Sequence, residues 1–170
     1  MAENGRPAIK PKWSFFEKIL QIISPLILIG IVIQLATVWN TLPWTIPTHF
    51  NAAGAADGWG GKGVLFGLPI TALFFYVLLT IVERFPKIYN FSFEITEKNA
   101  PYAYQTGREM LVCAKAFFLL IFGYLQWSWV EAASGRNAGP GLWLLPVILV
   151  LTAGIVIYYI RRMAKHKNGN

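Results

Sequence analysis

The sequence predicts an all-α fold, a four-helix transmembrane bundle with both termini in the cytoplasm and a structured extracytoplasmic loop between helices 1 and 2. Of the 170 residues, 55% are hydrophobic and only 14% are charged, which is too little charged surface for a water-soluble domain. Four apolar runs each approach the roughly 20 residues that carry a helix across the hydrocarbon core. Because backbone groups in lipid must bond within their own segment, continuous runs predict helices rather than barrel strands. The predicted spans are about 19–39, 64–83, 110–128 and 142–160.

The positions of the basic residues predict the orientation. Lysines and arginines cluster before the first run, between the second and third runs, and after the fourth, whereas the other two connections hold only Lys62 and Arg136. Such an asymmetry places the basic segments on the cytoplasmic side of a cell membrane, inner or plasma. We therefore divide the chain into a cytoplasmic segment (1–18), a four-helix membrane domain (19–161) and a basic cytoplasmic tail (162–170).

The net charge of +7 predicts contact with anionic lipid headgroups rather than with nucleic acid, because its distribution follows the membrane topology. The single cysteine, Cys113, lies inside the third run and has no partner for an intramolecular disulfide. It is expected to be a small apolar packing residue. The sequence does not determine the oligomeric state, and an oligomer is compatible with it.

The first extracytoplasmic loop holds the candidate ligand-binding residues. It is about 24 residues long and rich in proline and glycine, and loops of this length are usually functional or disordered. Its aromatic residues favour a folded loop that rests on the membrane or packs over the helix ends. The loop either recognises an external ligand or is only packed, with Asn51 and Asp57 bonded to turn backbone and His49 against Trp44 or Phe50. The candidates are His49, Phe50, Asn51, Asp57, Trp59 and Lys62.

His49 and Asp57 are also candidates for a metal site. Imidazole and carboxylate suit a divalent ion, but a zinc site needs at least three protein ligands. Asp57 could instead orient His49 as a general base, although only Thr48 adjoins as a hydroxyl nucleophile. No cofactor is predicted, and a divalent metal stays open. The alternatives to ligand recognition are a metal-assisted membrane enzyme at the outer surface and a small transporter or accessory subunit.

Lys115 is a candidate intramembrane charge, since it lies five residues inside the third run. A charge in lipid is costly and is a functional hypothesis by default. The favoured expectation is that Lys115 extends to the interface, and the next is an ion pair with Glu83 at the end of the second run. In the connection before this run, Asn99 is a candidate helix cap, and a helix from about Ala100 should continue unbroken into the third span.

Two motifs resemble a known family. The residues Leu42-Pro43, 46–51, Gly54, Asp57, Trp59-Gly60 and Lys62 resemble the signature of the DUF1648 domain, the N-terminal membrane domain of SdpI-type immunity proteins. A second stretch, 95–100, resembles a cytoplasmic Ile-Thr-x-x-Asn-Ala segment found in many members. The residues of interest there are Thr96, Asn99, Tyr104 and Arg108.

The resemblance implies a multi-pass bacterial membrane protein. The best understood members protect the cell from a secreted toxin and sequester a repressor at the membrane when toxin is bound. For this chain it therefore implies a secreted peptide or toxin as the external partner, a cytoplasmic regulator as the internal one, and a role in immunity or signal relay. It gives the motif residues importance but no chemical role.

Overall fold

The computed structural model describes residues 6–51, 54–136 and 139–165 and is mostly helical. Within these residues, four helices are long and apolar enough to cross a membrane, which confirms the four predicted helices. The elements in chain order are α1 (Phe15–Val38), β1 (Thr45–Phe50), β2 (Ala56–Gly61), α2 (Gly67–Val82), α3 (Ala100–Ala133) and α4 (Leu144–Lys165). A short 3₁₀ turn, Lys62–Phe66, leads from β2 into α2.

The first helix begins before its apolar run because a capping box starts it. The hydroxyl of Ser14 accepts from the backbone N–H of Glu17, and the carboxylate of Glu17 accepts from the backbone N–H of Ser14. Two donors that a helix start leaves without partners are satisfied in this way. The helix expected from about Ala100 does run unbroken through the third apolar run, over 34 residues.

The long helix α3 is the centre of the bundle. Helices α1, α2 and α4 all pack mainly against α3, and α1 and α2 contact each other much less. The middle of the core joins one residue from each of three helices, Ile31, Ala72 and Leu119. Helix α4 lies at the periphery and leaves most of its apolar surface exposed, as expected for a helix that faces lipid.

The all-α prediction missed a β-hairpin in the connection between α1 and α2. Strands β1 and β2 pair antiparallel, with Ile46 opposite Gly60 and a bulge between Pro47 and His49. The glycines of β2 permit this close pairing: a Cβ at Gly58 would lie 3.0 Å from the Cβ of His49. The hairpin is held by burial of Ile46 in a cluster with Leu35, Leu42, Leu65, Val130 and Ala133.

The hairpin lies across one end of the bundle. At its centre, the indole N–H of Trp129 on α3 donates to the carbonyl of Pro47 at 2.5 Å. At its tip, a Cβ at Gly139, where φ is +108°, would lie 2.6 Å from the ring of Phe50, so only glycine fits there. We call this end, with Val38, Gly67, Ala133 and Leu144, the hairpin end, and the opposite end the far end.

Candidate functional site

Lys62 anchors the base of the hairpin. Its ammonium donates to the carbonyls of Trp39 (2.8 Å) and Leu42 (3.2 Å) and lies 4.6 and 4.7 Å from the ring centres of Trp39 and Trp44. The side chain is buried, and the contacts combine charge-assisted hydrogen bonds with cation–π attraction. Lys62, the residue that directly follows β2, therefore ties the base of the hairpin to the end of α1, and its charge faces inward.

The outward face of the hairpin presents His49, Asp57 and Trp59. The ring Nδ1 of His49 lies 2.5 Å from Oδ1 of Asp57, and the two side chains are 73% and 43% exposed. Trp59 is 64% exposed, and Trp44 at the hairpin base is 80% exposed. Asp57 and Trp59 share one face because they are two residues apart on β2. A hydrogen-bonded imidazole–carboxylate pair and a large aromatic side chain therefore stand together on a fixed surface.

Phe50 and Asn51 lie at the tip of the hairpin, where Phe50 is partly buried and Asn51 is exposed. Phe50 is half-buried, edge to face with Trp129 at 6.4 Å between ring centres. The side-chain carbonyl of Asn51 accepts from the backbone N–H of Ala55, and the backbone N–H of Asn51 donates to the carbonyl of Ala55. The expected bond from Asn51 to turn backbone is present. Asp57 differs from the packed-loop expectation, because it bonds His49.

The His49–Asp57 pair has a defined chemical capacity. Because Nδ1 is engaged by the carboxylate, Nε2 is the ring nitrogen that remains for an external partner. The pair could orient a ligand, take a proton or supply two metal ligands. Among the described residues, no three His, Cys, Asp or Glu side chains come together as a metal-binding group. A metal held here would need further ligands from outside that set.

At the far end, Arg108 holds the N-terminal segment, residues 6–14, on the bundle. Its guanidinium forms a buried, two-bond pair with Glu17 at 2.7 and 3.2 Å. It also donates to the carbonyls of Pro11 (2.9 Å) and Lys12 (2.7 Å) and lies over the ring of Trp13. Four of its five donors are therefore engaged. Arg108 joins α3, α1 and the N-terminal segment.

The other three residues of the cytoplasmic motif, Thr96, Asn99 and Tyr104, also form hydrogen bonds at the far end. The side-chain carbonyl of Asn99 accepts from the backbone N–H of Thr96, and the Thr96 hydroxyl accepts from the backbone N–H of Asn99. Asn99 does precede the first residue of α3, but this amide bonds backward to Thr96 and Glu94 rather than capping the helix. The Tyr104 hydroxyl donates to the carbonyl of Pro7. All four motif residues thus have structural contacts.

Lys115 does not extend to the interface, contrary to the favoured expectation. Its side chain is 0% exposed, and its ammonium lies 2.9 Å from Oε2 of Glu83, so the alternative ion pair is the one observed. The two other donors reach Gln21 and Thr80, both at 3.0 Å. Gln21 in turn donates to Glu83 at 2.5 Å. The network joins α1, α2 and α3, and all three N–H donors of the Lys115 ammonium have a partner.

A third pair at the far end was not predicted. Glu109 is buried and accepts from Arg162 of α4 and from Gln105 at 3.0 Å. Elsewhere at the far end, burial raises the pKa of the Tyr89 phenol, so it stays a neutral donor to the carbonyl of Glu83. The sequence does contain a sign that Glu109 is paired. Like Glu17 and Glu83, it is an acidic residue at the edge of an apolar run, where a buried charge needs a partner.

The family comparison concerns the stretch that forms the hairpin and its anchors. Residues 26–73 match the model of DUF1648, a domain of unknown function. They cover the second half of α1, the whole hairpin and the start of α2. No curated protein and no solved structure matches the chain. The chain therefore contains a DUF1648 domain at residues 26–73.

Proposed function

We propose that this multi-pass membrane protein recognises a peptide or another envelope ligand through the outward face of its hairpin. In this proposal the hairpin end faces out of the cell and both termini are cytoplasmic, as the basic residues predict. The observation that carries the proposal is the exposed His49–Asp57 pair beside Trp59. Aromatic side chains beside polar groups are typical of the centres of binding surfaces.

The rigidity of the hairpin supports a binding role. Lys62, Ile46 and the Trp129–Pro47 bond fix the base, the buried face and the centre of the hairpin from within. A surface that is already ordered loses less conformational entropy when a ligand binds. Tryptophan is enriched at the depth of the lipid headgroups, and the proposal places Trp44 and Trp59 there. In that position the outward face of the hairpin meets an envelope ligand close to the bilayer.

A role in toxin immunity or signal relay of the SdpI type remains part of the proposal. Helix α3 contacts the hairpin through Trp129 and the N-terminal segment through Arg108. One continuous helix therefore touches both surfaces that such a relay would use. The cytoplasmic partner would be a regulator that meets the basic far end.

Photo-crosslinking in intact cells tests the proposal before any weak ligand is lost. A photoreactive residue replaces Trp59 in the otherwise wild-type chain and in His49→Ala, Asp57→Ala and Thr41→Ala backgrounds. Thr41 is the matched control, because its exposed hydroxyl bonds only to the carbonyl of Val38 among the contacts described. We expect a defined adduct that His49→Ala and Asp57→Ala reduce at least tenfold and Thr41→Ala leaves unchanged.

Native mass spectrometry of the same variants identifies what is bound. A peptide-sized or envelope-sized adduct supports recognition. A metal-ion mass lost in His49→Ala would favour the metal-assisted enzyme. No adduct in any background, or equal adducts in all of them, would contradict the proposed role of this face.

A further inference from the structure

A groove at the far end has an apolar length and a polar end. It lies between α4, the first half of α3 and the start of α1, and its volume is about 810 Å³, within the range of small-molecule sites. Its apolar length follows α4 from Val150 to Tyr158. The lining includes Phe16, Cys113, Val150, Gly154, Ile155 and Tyr158.

The polar end of the groove is formed by Glu109 and Arg162. Glu109 is buried, and its carboxylate is neutralised by the guanidinium of Arg162. Arg162 is fixed further by Tyr102, whose hydroxyl accepts from its Nε at 3.3 Å. The groove therefore combines a hydrocarbon-like wall with a held guanidinium at one end.

Cations surround this polar end. Arg161 and Lys165 are exposed in the last turns of α4, and Lys12 is exposed two residues before Ser14, which lines the groove. Within the described part of the chain, the acidic residue that lines the groove is Glu109, whose charge Arg162 already balances. The exposed charge beside the groove is thus positive and complements an anion.

We propose that this groove binds one phospholipid with an anionic headgroup. An acyl chain lies along α4 between Val150 and Tyr158, and the phosphate meets Arg161, Arg162 and Lys165. The second copy of this chain is a poorer occupant, because an apolar helix would cover the exposed cations Arg161 and Lys165 without pairing them. The site is separate from the hairpin and does not depend on its function.

Glycine substitutions give a matched test. A Cβ added at Gly154 meets nothing within 4 Å, and Gly154 lines the groove, so Gly154→Leu should place its side chain in the groove. Gly30 is equally open but lies on α1 outside the groove, so Gly30→Leu is the control. Each protein is placed in nanodiscs of equal phosphatidylglycerol and phosphatidylcholine, released into detergent and examined by native mass spectrometry.

We expect one retained phosphatidylglycerol on the wild type and on Gly30→Leu, and none on Gly154→Leu. Arg161→Gln with Lys165→Gln changes only exposed charges and should reduce the preference for phosphatidylglycerol about 30-fold. Cys113, the single cysteine, supplies a second readout. Added phosphatidylglycerol should slow its alkylation in the wild type and Gly30→Leu but not in Gly154→Leu.

Equal retention by Gly154→Leu and the wild type would overturn the site. Retention of phosphatidylcholine as firmly as phosphatidylglycerol would overturn the headgroup preference and with it the proposal. If Gly154→Leu does not fold, the variant Arg161→Gln with Lys165→Gln still tests the proposal, because Arg161 and Lys165 are exposed and lie outside the core.

Discussion

The two ends of the bundle use ionisable side chains in opposite ways. At the far end, Glu17, Glu83 and Glu109 are buried and each is paired with a cation on another helix. At the hairpin end Lys62 is buried as an anchor, but among the described residues His49 and Asp57 pair with each other across the hairpin, and both are exposed. Buried pairs that join helices determine how the helices assemble, whereas an exposed local pair contributes little to stability. The comparison separates the charges that build the fold from those that remain for a partner.

The largest expected effect comes from breaking the Lys115–Glu83 pair. Lys115→Ala leaves the carboxylate of Glu83 buried without its cation, which should lower the free energy of unfolding by about 3–5 kcal/mol. The double variant Lys115→Met with Glu83→Leu removes both charges and should recover most of that loss. Thermal unfolding in detergent measures both. A double variant as unstable as Lys115→Ala would show that the network matters beyond charge balance.

An intermediate effect is expected when Arg108→Ala is combined with Glu17→Gln. This double variant leaves no buried carboxylate without a cation and removes the bonds to the carbonyls of Pro11 and Lys12. Each hydrogen bond to a charged group contributes about 1.5–3 kcal/mol, so the N-terminal segment should open more than tenfold more often. Trypsin cleavage after Lys12 measures this opening. Arg136→Ala, which breaks the exposed pair with Glu131, is the control and should leave the cleavage rate unchanged. Equal cleavage in both variants would contradict the anchoring role of Arg108.

The smallest expected effect on stability is that of His49→Ala. Because the imidazole is exposed, we expect the free energy of unfolding to stay within about 0.5 kcal/mol of the wild type. The same thermal measurement checks this, with Lys62→Met as the contrast that loses the hairpin anchor. A loss above about 2 kcal/mol would show that His49 builds the hairpin and would remove the distinction between the two ends.

The sequence predicted the far end better than the hairpin. The start of α3 near Ala100 was readable because Pro101 is tolerated in a first helical turn, although the expected cap by Asn99 is not formed. The Lys115–Glu83 pair was readable as the second expectation for Lys115, because a charge inside an apolar run needs a nearby partner. The Glu17–Arg108 and Glu109–Arg162 pairs were not predicted. They join residues 91 and 53 positions apart, and only the packing of α1 and α4 on α3 brings them together.

The composition of the hairpin does not predict β-strands. Glycine makes up half of β2, and Pro47 lies inside β1, so intrinsic propensity argues against strands at both places. Burial of Ile46 and the bond from Trp129 to Pro47 override that propensity. The candidate ligand-binding residues all lie in or beside the hairpin, but their separation into an anchoring Lys62 and an exposed His49 needed the fold.

The length of α3 also relates the protein to the thickness of its membrane. Arg108 and Trp129 are 21 residues apart, which corresponds to about 32 Å along a helix and closely matches the roughly 30 Å hydrocarbon layer. A bilayer of that thickness lets the guanidinium and the indole N–H both remain at its boundaries. Tilting is one way in which α3 can adapt to a thinner bilayer, and a tilted α3 carries the hairpin and the N-terminal segment with it, because both are bonded to it. The two attachments therefore make bilayer thickness a determinant of how the hairpin is presented at the membrane surface.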